Sequence, residues 1–172
     1  MVKKMNYYEE YKSPIGKIIL ISDGDFLTGL YFENQKYFPN LKEYKKEQKD
    51  IFDLTKKYLD LYFQGKDPKI EIPIHIKTTE FQKEVYEELS KIPFGEIRTY
   101  KEIATEIAKK REVETMSTQA VGTAIGKNPV SILIPCHRVI GVKNRLVGYA
   151  GGLDKKRSLL EIEGHKKESF KD

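Results

Sequence analysis

Cysteine is almost absent from this sequence: Cys136 is the only one among 172 residues, and there are three histidines. One thiol cannot form an internal disulfide, and so few cysteines and histidines exclude a structural zinc site of the usual kind. We therefore expect no bound metal and no cofactor. A single unpaired thiol also favours a reducing environment, so we expect a cytoplasmic protein.

Long apolar runs are missing as well. No run approaches the roughly 20 residues needed to span a bilayer. The first residues are basic but lack the apolar stretch of a secretory signal, so we expect no association with a membrane. Isoleucine, leucine, phenylalanine and tyrosine are nevertheless plentiful beside lysine and glutamate. This composition is typical of a folded, soluble protein with one or two small domains.

Acidic residues are missing from one long window. The chain has 26 aspartates and glutamates and a formal net charge of +5, but none of the acids lies between Thr115 and Leu153. A basic surface without carboxylates suits a polyanion, because each cation near a phosphate releases counterions. The alternative is a chance gap in an apolar core segment. The basic residues of this acid-free window are Lys127, Arg138, Lys143 and Arg145.

The first part of the chain predicts strands followed by a helix. The runs "YYEEYKSP", "GKIILISD" and "FLTGLYFE" are β-rich and are separated by turn signals at residues 13–16 and 23–24. Residues 41–63 are charged with apolar positions at roughly helical spacing, which predicts a helix. After a break at residues 65–68, "KIEIPIHI" alternates like another strand.

The chain changes character after residue 78. Capping boxes at residues 79–82 and 99–102 predict two helices, and Ser117 suits the N-cap of a third over "TQAVGTAIGK". The last two predict a helix-turn-helix variant with a long connection. The run "VSILI" predicts a short buried strand, and a final helix is expected over residues 153–163.

The single thiol stands in "ILIPCHRVIG", between Pro135 on one side and His137 and Arg138 on the other. A neighbouring histidine and positive charge favour the thiolate, the nucleophilic form. A buried packing cysteine is the alternative that the residue types alone leave open. Adjacent side chains on an extended strand point in opposite directions, so we expect His137 to reach Cys136 through a water. A basic histidine also needs an orienting acceptor on its other nitrogen.

The motif "IPCHRV" resembles that of the O6-alkylguanine-DNA alkyltransferase family. The resemblance extends to "FGEIRTYKEIA", "QAVGTAIGKNP", "NPVSILIPCHRVIG" and "GYAGGLDKKRSLLEIEG", so it is close from about Thr78 to Glu163 and looser before. It implies a mixed fold of the α/β (α+β) class. Residues 1–76 would form a small ribonuclease-H-like α/β domain. Residues 77–172 would form a winged helix-turn-helix domain that holds the DNA-binding surface and the active site.

The activity that the resemblance implies is DNA repair by direct damage reversal. Cys136 would accept a methyl or other alkyl group from O6 of guanine, and from O4 of thymine, in an irreversible, single-turnover transfer. The damaged nucleotide would first flip out of the stack, because O6 lies inside the duplex. The partner would be double-stranded DNA containing O6-alkylguanine, bound through the minor groove by a monomer.

The resemblance also implies roles for residues around the thiol. His137 would act as a base through a water, and Glu163 would orient and polarise it. Tyr100 would help swing the nucleotide out and would hydrogen-bond the leaving guanine. Asn128 would tie the helix-turn-helix to the turn that holds the nucleophile.

Further positions would bind the flipped base. The backbone carbonyls of Cys136 and Val139 would accept the exocyclic amine of guanine, and Tyr149 and Ala150 would cover the base. Lys156 would support the site from the last helix. Relatives often have serine where this chain has Ala150, so a hydrogen bond to O6 would have to come from backbone N–H groups.

The helix over "TQAVGTAIGK" would carry the DNA contacts. Its small residues, Ala120 and Gly122 among them, would let the helix approach the minor groove, or would only permit tight packing inside the protein. Lys127 and Arg138 would join the DNA contacts, and Arg138 would mainly hold the fold around the motif. Relatives commonly insert an arginine into the gap left by the flipped base. Gln119 stands there instead, so we expect weaker support for the extrahelical state.

Two other classes of function are compatible with a DNA-binding domain around a cysteine. Alkyltransferase-like proteins bind damaged DNA without catalysis, but they lack the cysteine, which Cys136 retains here. A cysteine hydrolase would need an oxyanion hole and repeated turnover. His75 and His165 lie outside the motif, and the sequence leaves their roles open.

Overall fold

A computed structural model describes residues 4–172, so the first three residues of the predicted N-terminal domain lie outside the described residues. The chain divides into two units, residues 1–76 and 77–172. Each has its own core, and the candidate site lies wholly in the second. The expected mixed α/β class is confirmed. Among the described residues, no helix has the length and apolar character needed to cross a membrane.

The first unit is a four-stranded sheet with one helix. The strands are β1 (Tyr7–Ser13), β2 (Gly16–Ser22), β3 (Leu27–Phe32) and β4 (Lys45–Lys46), and the helix is α1 (Asp50–Tyr62). The strand order is β3-β2-β1-β4, with β4 parallel to β1 and the other pairs antiparallel. Residues 18–21 of β2 are all buried, so both faces of this strand are covered. Three of the predicted strands and the helix are therefore present.

Two predictions in this unit are wrong in part. The helix expected over residues 41–63 begins only at Asp50. Before it lie a single 3₁₀ turn, capped by the Asn40 side chain, and the edge strand β4. The strand expected at "KIEIPIHI" is reduced to one bridge between Ile74 and Leu27. Pro73 has no N–H to donate, so only its carbonyl, which accepts from the Leu27 N–H, takes part in pairing.

The second unit is mainly helical. Its elements are α2 (Glu80–Ser90), β5 (Arg98–Thr99), α3 (Tyr100–Arg111), α4 (Thr118–Gly126), β6 (Val139–Ile140) and α5 (Leu153–Ile162). Helices α2, α3 and α4 pack on one another, and β5 pairs in parallel with β6. Both predicted capping boxes are present, and Ser117 caps α4 through its side chain. Their signals are local, which is why they are readable from the sequence.

The strand predicted at "VSILI" is wrong. Ile132 has φ of 72°, a left-handed conformation that is a genuine outlier for a β-branched residue. The Ile134 N–H donates to the Val130 carbonyl, so the run folds back on itself in a buried turn. Such strained backbone is concentrated at functional sites. Cys136 follows this turn directly and begins a 3₁₀ turn over Cys136–Arg138.

Candidate active site

Asn128 organises the turn that carries the thiol. It is buried just beyond the end of α4, and its Oδ1 accepts from the Val130 N–H at 2.9 Å. Its Nδ2 donates to the Ile134 carbonyl at 2.8 Å and to Cys136 Sγ at 3.2 Å. One amide side chain thus fixes both ends of the turn and contacts the sulfur itself.

Cys136 is a buried cysteine outside any disulfide, with 4% of its surface exposed. Burial raises the pKa of the Cys136 thiol, against the opposing effects of the Asn128 hydrogen bond, the positive charge of Lys156 and the backbone N–H groups of Cys136 and His137. The sulfur therefore rests as a thiol, and a base has to take its proton before it can act as a nucleophile. The extended strand expected at Cys136 and His137 is wrong, because these residues form a 3₁₀ turn.

Glu163 joins the two basic residues that follow the thiol. Its Oε2 contacts Nε2 of His137, and its Oε1 accepts from Arg138 Nε at 2.7 Å and from the Gly95 N–H at 2.9 Å. Arg138 also donates from Nη1 to the Ile92 carbonyl at 2.7 Å. His137, Arg138 and Glu163 are all buried. The cluster joins the 3₁₀ turn, the end of α5 and the loop after α2.

Burial and pairing set the charges of this cluster. Burial by itself would raise the pKa of Glu163, but hydrogen bonds from His137 and Arg138 hold it well below its usual range, so Glu163 is ionised. Burial lowers the pKa of His137, which outweighs the opposing pull of Glu163. An ionised carboxylate only accepts hydrogen bonds, so we assign the proton of neutral His137 to Nε2. Nδ1 is then the basic nitrogen.

Arg138 was predicted both to contact DNA and to hold the fold around the motif, and its position fits only the second role. Only 6% of its surface is exposed, and its guanidinium is engaged by Glu163 and the Ile92 carbonyl. A DNA contact by Arg138 is therefore a wrong prediction, because the side chain lies in the interior, where it holds the fold around the motif. The three other basic residues of the acid-free window are exposed: Lys127, Lys143 and Arg145.

Tyr100 and Lys156 converge on the loop that precedes α5. Tyr100, the first residue of α3, donates from its hydroxyl to the Val147 carbonyl at 2.6 Å. Nζ of Lys156 lies 3.4 Å from that hydroxyl oxygen, and 3.3 and 3.2 Å from the carbonyls of Val147 and Gly148. Burial raises the pKa of Tyr100 to about 12 and lowers that of Lys156 to about 8. At neutral pH the phenol keeps its proton, and the ammonium is the main form of the lysine.

The remaining predicted base-binding residues surround the thiol. The Val139 N–H donates to the Cys136 carbonyl, which has a second lone pair for another donor. The Tyr149 hydroxyl interacts with Ser131 and Cys136, and burial raises its pKa. Ala150 follows in the same loop and is half-buried. The structure thus brings the predicted site residues of the motif, α3, α5 and this loop to one place.

Two glycines of helix α4 have room for a larger side chain. Gln119 and Ala120 are exposed in its first turns. A Cβ added at Gly122 would meet only the Tyr100 ring, at an ordinary 3.9 Å, and one added at Gly126 would meet nothing within 4 Å. Close packing against neighbouring residues therefore does not explain these two glycines.

Several contributors to the site have no signal in the sequence. The carbonyls of Ile92, Val147 and Gly148 and the N–H of Gly95 are backbone groups, which any residue type supplies. Gly95, with φ of 84° in "IPFGE", and Gly148, with φ of 61°, are the two of these positions whose backbone favours glycine. Among residues 4–172, no cluster of three or more His, Cys, Asp or Glu side chains is arranged to hold a metal ion.

Comparisons with known proteins agree with this geometry. Residues 6–76 match the family model described as "6-O-methylguanine DNA methyltransferase, ribonuclease-like domain", and residues 80–165 match the DNA binding domain of the same name. A methylated-DNA–protein-cysteine methyltransferase of Methanosarcina barkeri is 42% identical over 157 residues, which are 91% of this chain and 96% of the relative. The Haemophilus influenzae protein of that name is 39% identical over 158 residues, 91% of this chain and 86% of the relative.

A solved structure shows the same architecture. Mycobacterium tuberculosis OGT in complex with DNA superposes with a TM-score of 0.83 at 36% identity, over 95% of this chain and 94% of that chain. Two family models in sequence order, similar relatives over most of the chain and a shared three-dimensional structure lead to one conclusion. The chain belongs to the 6-O-methylguanine DNA methyltransferase family.

Proposed function

We propose that this protein repairs DNA by moving an alkyl group from O6 of guanine to Sγ of its own Cys136. The observation that carries the proposal is the buried cluster in which a thiol is followed by a histidine held by an ionised glutamate. The names of the relatives and the DNA-bound structure of a similar protein support it. In this proposal residues 77–172 hold the chemistry, and residues 1–76 have a structural role.

The transfer step is an in-line displacement at the alkyl carbon. The thiol proton passes through a water to Nδ1 of His137, and the resulting imidazolium is stabilised by Glu163. Sγ forms the new bond to carbon while the bond from carbon to O6 breaks, and its electron pair stays on the guanine. The product thioether has no easy route back to a thiol, so each molecule acts once.

The departing guanine needs a proton as it gains electron density. The Tyr100 hydroxyl keeps its proton at neutral pH and can donate it once it leaves the Val147 carbonyl. The ammonium of Lys156 faces the same hydroxyl oxygen and stabilises the negative charge that develops there. We propose that Asn128 supports the step by fixing the sulfur. Tyr149, Ala150 and the carbonyls of Cys136 and Val139 would hold the base.

Access to O6 requires the nucleotide to leave the stack. We propose that α4 enters the minor groove, where Ala120 and Gly122 allow close approach and Gln119 fills the gap left by the flipped base. The exposed cations of the acid-free window would contact phosphates. The same pocket would accept O4-alkylthymine, and the protein would act as a monomer in the cytoplasm.

The stoichiometry of transfer tests the proposal. Duplex DNA with radiolabelled O6-methylguanine should deliver one methyl group per molecule to Cys136, located by mass spectrometry of the peptide. Cys136→Ser should abolish transfer while binding the same DNA with an affinity within about threefold of the original chain, because only the reacting atom changes. Turnover above one, or label on another residue, would show that the proposal is wrong.

A further inference from the structure

The C-terminal tail, residues 166–172, pairs with the loop that leads to the active site. The Lys171 N–H donates to the Asn144 carbonyl at 3.0 Å, and the Leu146 N–H donates to the Lys171 carbonyl at 2.7 Å. Phe170 is 6% exposed and packs in a small core with Ile140, Leu146 and Leu160. The tail therefore supplies both an apolar anchor and two backbone hydrogen bonds to residues 144–146.

Helix α5 holds the tail and the loop with neighbouring residues. Arg157 donates from Nη1 to the carbonyls of Lys167 and Phe170 at 3.2 and 3.4 Å, and its Nη2 contacts the carboxylate of Asp172. The preceding residue, Lys156, reaches the carbonyls of Val147 and Gly148. One turn of helix thus fixes the loop directly at residues 147–148 and through the tail at residues 144–146.

The position of the loop matters because its next carbonyl receives the Tyr100 hydroxyl. Leu146, which the tail holds, is bonded to Val147, whose carbonyl accepts from Tyr100 at 2.6 Å. On either side of the buried Leu146 the loop lies at the surface: Val147 and Gly148 are exposed, as are Lys143 and Asn144, which have left-handed φ of 56° and 58°. The side chain of Tyr149 lies two residues further on, against Cys136.

We propose that the C-terminal tail is a positioning element of the active site: it fixes the Val147 carbonyl, which holds the Tyr100 hydroxyl beside the thiol until the guanine enters, and it places the base-covering residues 149–150. Without the tail, residues 144–148 would keep Lys156, the Tyr100 hydroxyl, local turns and the packing of Leu146 on Ile140 and Leu160, but would lose Phe170 and two backbone hydrogen bonds. The loop would then sample positions in which Tyr100 and Tyr149 are misplaced for transfer. Even a small misplacement of reacting or positioning groups is enough to slow a reaction many-fold. The rate readout rests on the proposed alkyl transfer.

Two pairs of variants separate this role from general loss of stability. Phe170→Ala removes the apolar anchor, and Phe170→Leu restores most of it. Lys171→Pro removes the N–H that bonds Asn144, whereas Lys171→Ala keeps the backbone and serves as the matched control; Phe170 already has the extended conformation that a following proline needs. We expect Phe170→Ala and Lys171→Pro to lower the single-turnover transfer rate at saturating DNA about tenfold. The affinity for DNA should stay within twofold, and the two control variants should transfer at nearly the original rate.

A double-mutant cycle with Tyr100→Phe identifies the route of the effect. If the tail acts through the Val147 carbonyl and Tyr100, Phe170→Ala should slow transfer much less in the Tyr100→Phe background than in the original chain. Equal slowing in both backgrounds overturns the route through Tyr100, and an unchanged rate in Phe170→Ala and Lys171→Pro overturns the positioning role itself.

Amide hydrogen exchange tests the same idea without any chemistry. Phe170→Ala should accelerate exchange at residues 144–148 while α2 and α3 keep their protection. Unchanged exchange in this loop contradicts the positioning role even if the protein transfers no alkyl group. Failure of transfer in the original chain would instead count against the proposed function alone.

Discussion

Glu163 is the residue on which the charge balance of the site depends. Its carboxylate is buried and accepts from His137, Arg138 and the Gly95 N–H. The positive charge of Arg138 compensates the negative charge of Glu163, and neutral His137 adds no charge. The cluster at rest is therefore close to neutral. A proton that arrives on His137 then meets a carboxylate already held in place. This arrangement makes His137 a better proton acceptor than a solitary buried histidine.

Glu163→Gln should destabilise the protein in a pH-dependent way. The pKa of Glu163 is lower in the folded protein than in the unfolded chain, so its ionisation stabilises the fold above the unfolded pKa of about 4.3. That contribution is lost as the pH falls through the folded pKa. At pH 7 we expect the free energy of unfolding to drop by about 3 kcal/mol, because Arg138 loses its buried counter-charge. Urea unfolding of both proteins across the acid range measures the difference.

Glu161→Gln is the matched control for this change. Glu161 lies two residues earlier on α5 and is exposed. Its substitution should leave the unfolding free energy within about 0.5 kcal/mol at every pH. An equal loss of stability for Glu163→Gln at pH 7 and at a pH below the folded pKa would contradict an ionised Glu163 in the folded protein.

The sequence indicated side chains of the site but not their supports. Cys136 and His137 stand in the motif itself, whereas Glu163 was implied only by the family resemblance. The groups that hold Arg138 and Glu163 in place include the Ile92 carbonyl and the Gly95 N–H, which only the folded chain brings near. Arg138 shows the same limit, because a basic residue beside a nucleophile reads as a DNA contact until its burial is known.

At the scale of elements, local signals predicted helices well and apolar runs poorly. The capping boxes at residues 79–82 and 99–102 are complete within four residues, so each helix start is encoded locally. The run "VSILI" has the composition of a strand, but the Asn128 side chain takes up the hydrogen bonds of a turn. The left-handed conformation of Ile132 cannot be read from an isoleucine. A side chain that bonds the backbone two and six residues further on, and not apolar composition, therefore decides the element that carries the nucleophile.

Helix α4 provides the prediction that belongs to this scale. Gln119 is exposed in its first turn, at the position where the family resemblance led us to expect an arginine. Gln119→Arg should raise both the affinity for O6-methylguanine DNA and the transfer rate about fivefold, because a planar cation can stack in the gap and attract phosphates. Binding titrations and single-turnover kinetics at fixed salt would measure the two effects.

Gln119→Lys separates charge from stacking. Lysine supplies the same charge without a planar guanidinium that can stack. It should therefore raise the affinity for DNA as arginine does but raise the transfer rate less. A helix N-terminus disfavours both cations by at most about 1 kcal/mol, so thermal unfolding should shift little. No change in affinity or rate with arginine would mean that Gln119 does not weaken support for the flipped state.

At the scale of the whole molecule, positive charge is balanced in one region and unbalanced in another. In the first unit, Lys17 lies 3.8 Å from Glu10 and 3.4 Å from Glu33, so neighbouring carboxylates compensate it. Among residues 4–172, the exposed cations of the acid-free window form no ion pair within 4.0 Å: Lys127, Lys143 and Arg145. The sequence predicted this asymmetry, since the lack of acids over 39 residues leaves little chance of pairing.

The unbalanced charge should appear in the salt dependence of DNA binding. A plot of the logarithm of affinity against the logarithm of salt concentration should be steeper for the original chain than for Lys127→Ala, Lys143→Ala or Arg145→Ala, by about one unit per residue that contacts a phosphate. Lys17→Ala lowers the net charge equally but removes a cation that carboxylates already compensate. Its slope should match that of the original chain. If Lys17→Ala reduces the slope as much as the window variants do, net charge alone attracts the DNA, and the acid-free window is not its contact surface.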